Sequence, residues 1–117
     1  MKKIYYLKTC STCQKILDDF GSKAKPYELQ DIKTESITPK QLDEMHKLAG
    51  SYEALFSKRA LKYREWGLNE KELSEDEMRK YILEEYTFLK RPVVINDAQI
   101  FIGNAPKVVA AAKSSMK

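Results

Sequence analysis

The sequence predicts an α/β fold: one mixed four-stranded sheet flanked by helices, with a helical insertion in its middle. Three observations carry that expectation. A short apolar run, Ile4-Tyr5-Tyr6-Leu7, passes almost directly into a helix-like stretch from Thr12 to Phe20. The centre of the chain carries two helix-start signatures. Two β-like runs, Val93 to Ile95 and Ile100 to Ile102, then precede a last amphipathic stretch. A chain of 117 residues is long enough to bury a real core and too short for two ordinary domains, so residues 1–117 read as a single domain with a helical insert over about 38–88.

The first strand is expected over Lys3 to Leu7, rich in aromatic and aliphatic residues and ending at polar Lys8-Thr9. The helix after it carries Ile16, Leu17 and Phe20 on one face and stops at Gly21, a residue suited to a left-handed cap. Lys25-Pro26 leads into a second short strand, Tyr27 to Gln30, completing a right-handed βαβ start. Thr38-Pro39-Lys40-Gln41 opens the next helix, with Thr38 as N-cap, Pro39 at the first helical position and Gln41 at the reciprocal capping position; it should run to Ala49 and end at Gly50. Ser51 to Phe56 reads as a further short helical piece. Ser74-Glu75-Asp76-Glu77 is a second capping box, opening a helix that presents Met78, Tyr81, Ile82 and Tyr86. Asn96-Asp97-Ala98 suits a tight hairpin connection. Asn104 is placed to cap the final helix, whose apolar face would hold Val108, Val109 and Ala112 with Lys107 and Lys113 toward water. A Cys-x-x-Cys pair after the first strand of this order is the arrangement of a thioredoxin-like fold.

Composition narrows the class. Hydrophobic residues make up 43% and charged residues 32%, with four Gly and four Pro, which excludes disordered and fibrous chains. No run is long and apolar enough to cross a membrane. The net charge of +4 comes mostly from scattered lysines interrupted by acidic runs such as Glu70 to Glu77, so no nucleic-acid surface is expected; the mild excess suits oxyanions or glutathione equally well.

Cys10-Ser11-Thr12-Cys13 carries the chemistry. The first N–H groups of a helix lack intrahelical partners and bear partial positive charge, so a thiolate beside them is favoured over the thiol and reacts as a nucleophile. The two-residue spacing puts Cys13 about one turn on, near enough to attack a mixed disulfide or sulfenic acid on Cys10. Cys10 therefore attacks and Cys13 resolves. A zinc half-site is the competing reading, but the remaining soft ligand is a lone His46 far downstream, and no metal is expected. A static disulfide competes too. The chain opens without a signal-peptide pattern, which places it by expectation in the cytoplasm, where such pairs stay reduced and are more often catalytic. Tyr5, Tyr6, Phe56 and Trp66 read as core or pocket wall, and His46 as lying on the solvated side of its helix.

The chain resembles, over nearly its whole length, the arsenate reductase (ArsC), Spx and YffB group of thioredoxin-fold proteins. The resemblance rests on Cys10 after the first strand, on Phe56-Ser57-Lys58-Arg59 followed by Tyr63-Arg64-Glu65, and on Lys90-Arg91-Pro92 leading into a hairpin with Ile102-Gly103. It implies that Cys10 is the nucleophile and that Arg59 and Arg91 lie near it, where guanidinium groups hold an oxyanion and keep a thiolate ionised. Arg91 joins Cys10 and Cys13 as a catalytic residue; Ser11, Thr12, Arg59 and Pro92 are assigned to substrate binding. Pro92 matches the cis-proline that thioredoxin-like folds set beside the active thiol, so a cis Arg91-Pro92 bond is expected. Family arsenate reductases carry a third arginine beyond the hairpin, whereas no arginine follows Arg91 here, leaving Lys107 without the planar fork.

The resemblance implies a cytoplasmic thiol-dependent oxidoreductase reducing arsenate or a disulfide or glutathione adduct. It would hold no tight cofactor and take electrons from glutathione or thioredoxin, with thioredoxin or glutaredoxin as protein partners. A YffB-like reading keeps the same chemistry with a different substrate. The alternative is an Spx-like regulator that binds RNA polymerase, with Cys10 and Cys13 as a disulfide switch.

Overall fold

Local signals placed most of the elements within a residue or two. In a computed structural model that describes residues 1–116, the strands are β1 (Lys2–Tyr6), β2 (Glu28–Asp31), β3 (Val93–Asn96) and β4 (Gln99–Ile102). The helices are α1 (Ser11–Phe20), α2 (Pro39–Ala49), α3 (Leu61–Glu65), α4 (Glu75–Glu84) and α5 (Pro106–Ser115). Short 3₁₀ turns lie at Gly21–Ala24, Leu68–Glu70 and Tyr86–Phe88. The sheet order is β2-β1-β3-β4, with β1 parallel to β2 and antiparallel to β3, and β3 antiparallel to β4. This is the mixed four-stranded α/β sheet expected. No helix among the described residues is long and apolar enough to cross a membrane.

The chain packs as two units, Met1–Ser36 together with the chain from Arg91 onward, and Ile37–Lys90. In the first, the period of two along β1 and the period near 3.6 along α1 meet on one face of the sheet. Ile4 sits between Leu29 and Val94 in the ladder, and Ile16, Phe20, Tyr27, Ala112 and Met116 pack with it and Val94 into one core cluster. Burying each such aliphatic side chain contributes about 1.5–3 kcal/mol. On the edge of this unit Lys113 does not point freely to water but pairs with Asp19 at 3.0 Å. The β3–β4 hairpin needs only Asp97 and Ala98 as its turn, because Asn96 belongs to β3; Asp97 takes φ +56°. The carboxylate of Asp97 accepts from the N-terminal ammonium at 2.9 Å. The final helix is capped by Ala105 without a side-chain bond, and not by Asn104: Pro106 occupies the first helical position, which moves the boundary one residue along.

In the second unit both capping boxes form as read. The Thr38 hydroxyl accepts from Gln41 N–H and Ser74 from Glu77 N–H, each with the return bond from the N3 side chain, and Gly50 closes α2 at φ +90°. Ser51 to Phe56 is not helical. It makes i→i−3 turn bonds from Leu55 N–H to Tyr52 and from Phe56 N–H to Glu53, its free N–H groups at Tyr52 and Glu53 go to the two oxygens of Glu75 at 2.6 and 3.0 Å, and Phe56 leaves the turn to bridge Leu89. Tyr86 likewise falls outside α4, since Glu85 turns extended and its carboxylate takes the Thr87 N–H at 3.2 Å. Phe56, Phe88, Tyr81 and Trp66 form a chain of ring contacts, yet Trp66 remains 40% exposed and is no core residue: it covers Phe88 from outside. His46 is half-buried against Tyr52, rings stacked at 4.1 Å, rather than solvated. The Tyr52 hydroxyl donates to Asp43, which Arg79 grips with two nitrogens at 2.9 and 3.1 Å.

Candidate functional site

The site grows out of the turn between β1 and α1. Cys10 N–H donates to the Leu7 carbonyl at 3.0 Å, closing a β-turn with Lys8 and Thr9 at its corner. Cys10 is thereby left as the N-cap residue of α1, with extended backbone at φ −89° and ψ 116°, and its own carbonyl accepts the first helical bond from Gln14 N–H at 3.1 Å. Cys10 is half-buried, whereas Cys13, on the inner face of the helix with Ile16 and Phe20, is 1% exposed. Both thiols are free. Ser11 and Thr12 are exposed on the first turn.

This placement divides the two acidities. For Cys10 burial is the largest influence and opposes ionisation, but it is outweighed by the N–H and thiol of Cys13, the Thr12 N–H and the charge of Arg91, and the Cys10 thiol is held below its ordinary 9.0. The neutral thiol makes no full capping bond to the helix, so these N–H groups act chiefly on the thiolate. Cys13 moves the other way. Burial is again the largest influence, and the neighbouring Cys10 adds like charge, so Cys13 is pushed up to about 11 despite the opposing Leu7 backbone and Arg91.

The antiparallel register explains how Arg91 reaches this point. Tyr5 pairs with Val93, so the start of β3 lies beside the end of β1, and the residues just before Val93 stand next to the thiol turn. The Arg91-Pro92 bond is cis, as read from the sequence, and Pro92 is buried with its carbonyl accepting from Gly103 N–H at 2.9 Å. Arg91 is half-exposed, and its charge acts on both sulfurs. Cys10, Cys13, Arg91 and Pro92 are thus brought together within one unit.

Arg59 belongs to the other unit. It is exposed in the segment before α3 and makes no ion pair among the described residues. Within that unit Ser57 N–H donates to the Phe88 carbonyl at 2.7 Å and Lys90 N–H to the Leu55 carbonyl at 2.8 Å. Among the described residues no group of three or more His, Cys, Asp or Glu is arranged to hold a metal ion.

Two further residues frame the thiol turn, and sequence reasoning missed both. The Gln14 side chain donates to the Lys8 carbonyl at 3.1 Å, and the Asp31 carboxylate accepts the Lys8 N–H at 3.2 Å. The position of Gln14, four after Cys10 on the same helix, was a usable signal; nothing local marks Asp31.

Comparison with known proteins fits this geometry. An arsenate reductase from Vibrio cholerae superposes with a TM-score of 0.79 at 20% identity, over 95% of this chain and 96% of that one. An arsenate reductase (ArsC) related protein from Brucella melitensis gives 0.72 at 23% identity, over 94% and 92%. SACOL0876 from Staphylococcus aureus gives 0.72 at 29% identity, over 95% and 97%. These likenesses establish a shared thioredoxin-like fold. No curated protein matches the chain. The ArsC family model matches residues 5–112, a span that holds both cysteines, Arg59 and the Arg91-Pro92 pair, and the chain therefore belongs to the ArsC family.

Proposed function

We propose that the chain is a cytoplasmic thiol oxidoreductase with Cys10 as nucleophile and Cys13 as resolving thiol. The observation that carries this reading is the split between the two sulfurs: a half-buried Cys10 held below its ordinary acidity at a helix start, beside a buried Cys13 pushed up to about 11. The Cys10 thiolate attacks one sulfur of a disulfide or glutathione adduct, forming a mixed disulfide and releasing the other sulfur as thiolate. Cys13 then gives up its proton and attacks the Cys10 sulfur, releasing the second thiolate and leaving a Cys10–Cys13 disulfide. Two electrons from glutathione or thioredoxin restore the dithiol. With arsenate, Cys10 would form the sulfur adduct as an oxygen leaves as water, and Arg91 would hold the remaining oxyanion through paired hydrogen bonds while Ser11 and Thr12 offer N–H groups. Family membership supports thiol chemistry of this general kind.

The test runs arsenate and a glutathione mixed disulfide side by side, each with glutathione or with thioredoxin as donor and Cys10→Ser as control. Turnover lost in Cys10→Ser supports the reading and the better substrate names the activity; full turnover in Cys10→Ser overturns it. The adjacent, unequal thiols also suit a disulfide switch, so absence of turnover on both substrates together with redox-dependent capture of RNA polymerase would replace the enzyme by an Spx-like regulator.

A further inference from the structure

The turn that presents Cys10 is gripped at a single peptide unit on each side of Lys8. Lys8 sits at the corner of the Leu7–Cys10 turn and is exposed, as is Thr9, so neither side chain anchors the loop in a core. The backbone of Lys8 is instead held by two side chains. Its N–H is taken by Asp31 at the end of β2, and its carbonyl receives the Gln14 amide from α1. Gln14 brackets Cys10 from both sides, since its backbone N–H also binds the Cys10 carbonyl at 3.1 Å. Asp31 is itself immobilised: the Lys33 N–H donates to the same oxygen at 3.3 Å and the Thr34 hydroxyl to the other at 3.2 Å, while Ile32 N–H donates to Tyr6 at 3.0 Å. An exposed two-residue corner with neither clamp would sample many backbone states.

We propose that Gln14 and Asp31 are positioning residues for the Cys10 nucleophile, acting together through the two peptide units that flank Lys8. Neither touches the reacting sulfur in this role. They hold Cys10 at the N-cap, where the helix N–H groups meet its thiolate, and a loosened turn lets the sulfur drift off that axis and lose its ionised population. Gln14 supplies a donor and Asp31 an acceptor, so a side chain that keeps the needed atom preserves the clamp. The carboxylate's charge is not the active ingredient: negative charge near a thiolate opposes it. Asp31 is nonetheless ionised at neutral pH, because the burial that opposes its charge is outweighed by the Lys8 and Lys33 N–H groups, the Thr34 hydroxyl and the Lys8 charge.

The inference rests on Cys10 being the reactive thiol, and the experiment separates the two claims. Iodoacetamide labelling of the reduced full chain, quenched over time and mapped by mass spectrometry, gives the Cys10 rate against pH without any substrate. Gln14→Ala and Asp31→Ala should each slow Cys10 labelling near pH 6.5 by about three- to tenfold, the worth of one lost hydrogen bond. Their rates should converge with that of the unaltered chain at high pH, where every thiol is ionised. Asp31→Asn keeps an acceptor oxygen and should restore the rate. The double alanine variant should fall short of the product of the single effects, since both act on the backbone of one residue, Lys8. If Asp31→Asn and Asp31→Ala both speed labelling, charge rules and the clamp is wrong; if all variants label like the unaltered chain, the clamp is equally wrong. If Cys13 labels faster than Cys10 in the unaltered chain, it is the assignment of the nucleophile that fails.

Discussion

Replacing Cys10 by Ser should abolish rapid thiol labelling even though Cys13 remains. At pH 8 a thiol at about 11 is ionised in roughly one molecule per thousand, whereas one held below 9.0 is ionised in roughly one per ten or more, a population ratio of ~100. The less acidic sulfur is the better nucleophile once ionised, and with a Brønsted slope near 0.5 that returns about tenfold of the difference. A factor of ~10 survives, and the 1% exposure of Cys13 adds a steric barrier to it. Losing Cys10 also removes the like charge that helps raise Cys13, but burial, the larger cause, stays in place. The assay is iodoacetamide labelling followed by mass spectrometry between pH 6 and 10. The Cys10→Ser rate should lie at least about tenfold below that of the unaltered chain at pH 8 and keep climbing with pH through 10, while the Cys10 rate reaches half its maximum below pH 9. Labelling of Cys10→Ser within threefold of the unaltered chain at pH 8 would refute the division of roles.

Further outcomes test other parts of the structure. Arg91→Ala should move the Cys10 pKa up toward its ordinary range, and Arg91→Lys should preserve thiolate labelling while weakening inhibition of labelling by oxyanions, because lysine keeps the charge without the fork; equal loss of thiolate labelling in both variants would show that charge is not how Arg91 acts on Cys10. Asp43, held down to about 2 by the Arg79 and Tyr52 hydrogen bonds, contributes stability that is complete above the ordinary carboxylate range and lost as pH falls from about 4 toward 2; melting curves should show a smaller acid-induced decline for Asp43→Asn than for the unaltered chain. Thr38→Ala and Ser74→Ala each remove one side of a capping box and should cost about 1 kcal/mol in urea unfolding, while a change below a tenth of that would show that the caps are redundant with packing.

Much of the site was legible because its signals are local. A cap depends on residues three apart, so Thr38 with Gln41 and Ser74 with Glu77 could be read directly, and the same logic placed Cys10 at a helix start. Signals failed where a distant partner outbid a local one. Ser51 to Phe56 had helix-like spacing, but the bridge from Phe56 to Leu89 draws the chain out after a single turn. Trp66 read as core or pocket wall from its side chain alone, and only the structure shows that it lies over Phe88 at the end of the short α3 with one side in solvent.

The sequence by itself determined the order of elements, the two capping boxes and the position of both thiols at the start of α1, while the cis Arg91-Pro92 bond at the head of β3 was expected from the resemblance to thioredoxin-like folds. Periodicity and capping are properties of neighbours along the chain, and they survive without knowledge of the rest. Tertiary structure alone decided that Cys13 is sealed inside while Cys10 stays half-open, that Arg91 acts on both sulfurs, and that Asp31, 23 residues away, holds the Lys8 peptide. Those facts turn on strand register. Pairing Tyr5 with Val93 and Tyr6 with Asp31 brings the start of β3 and the end of β2 to the thiol turn, and a slip of one residue would carry each alternate side chain to the opposite face.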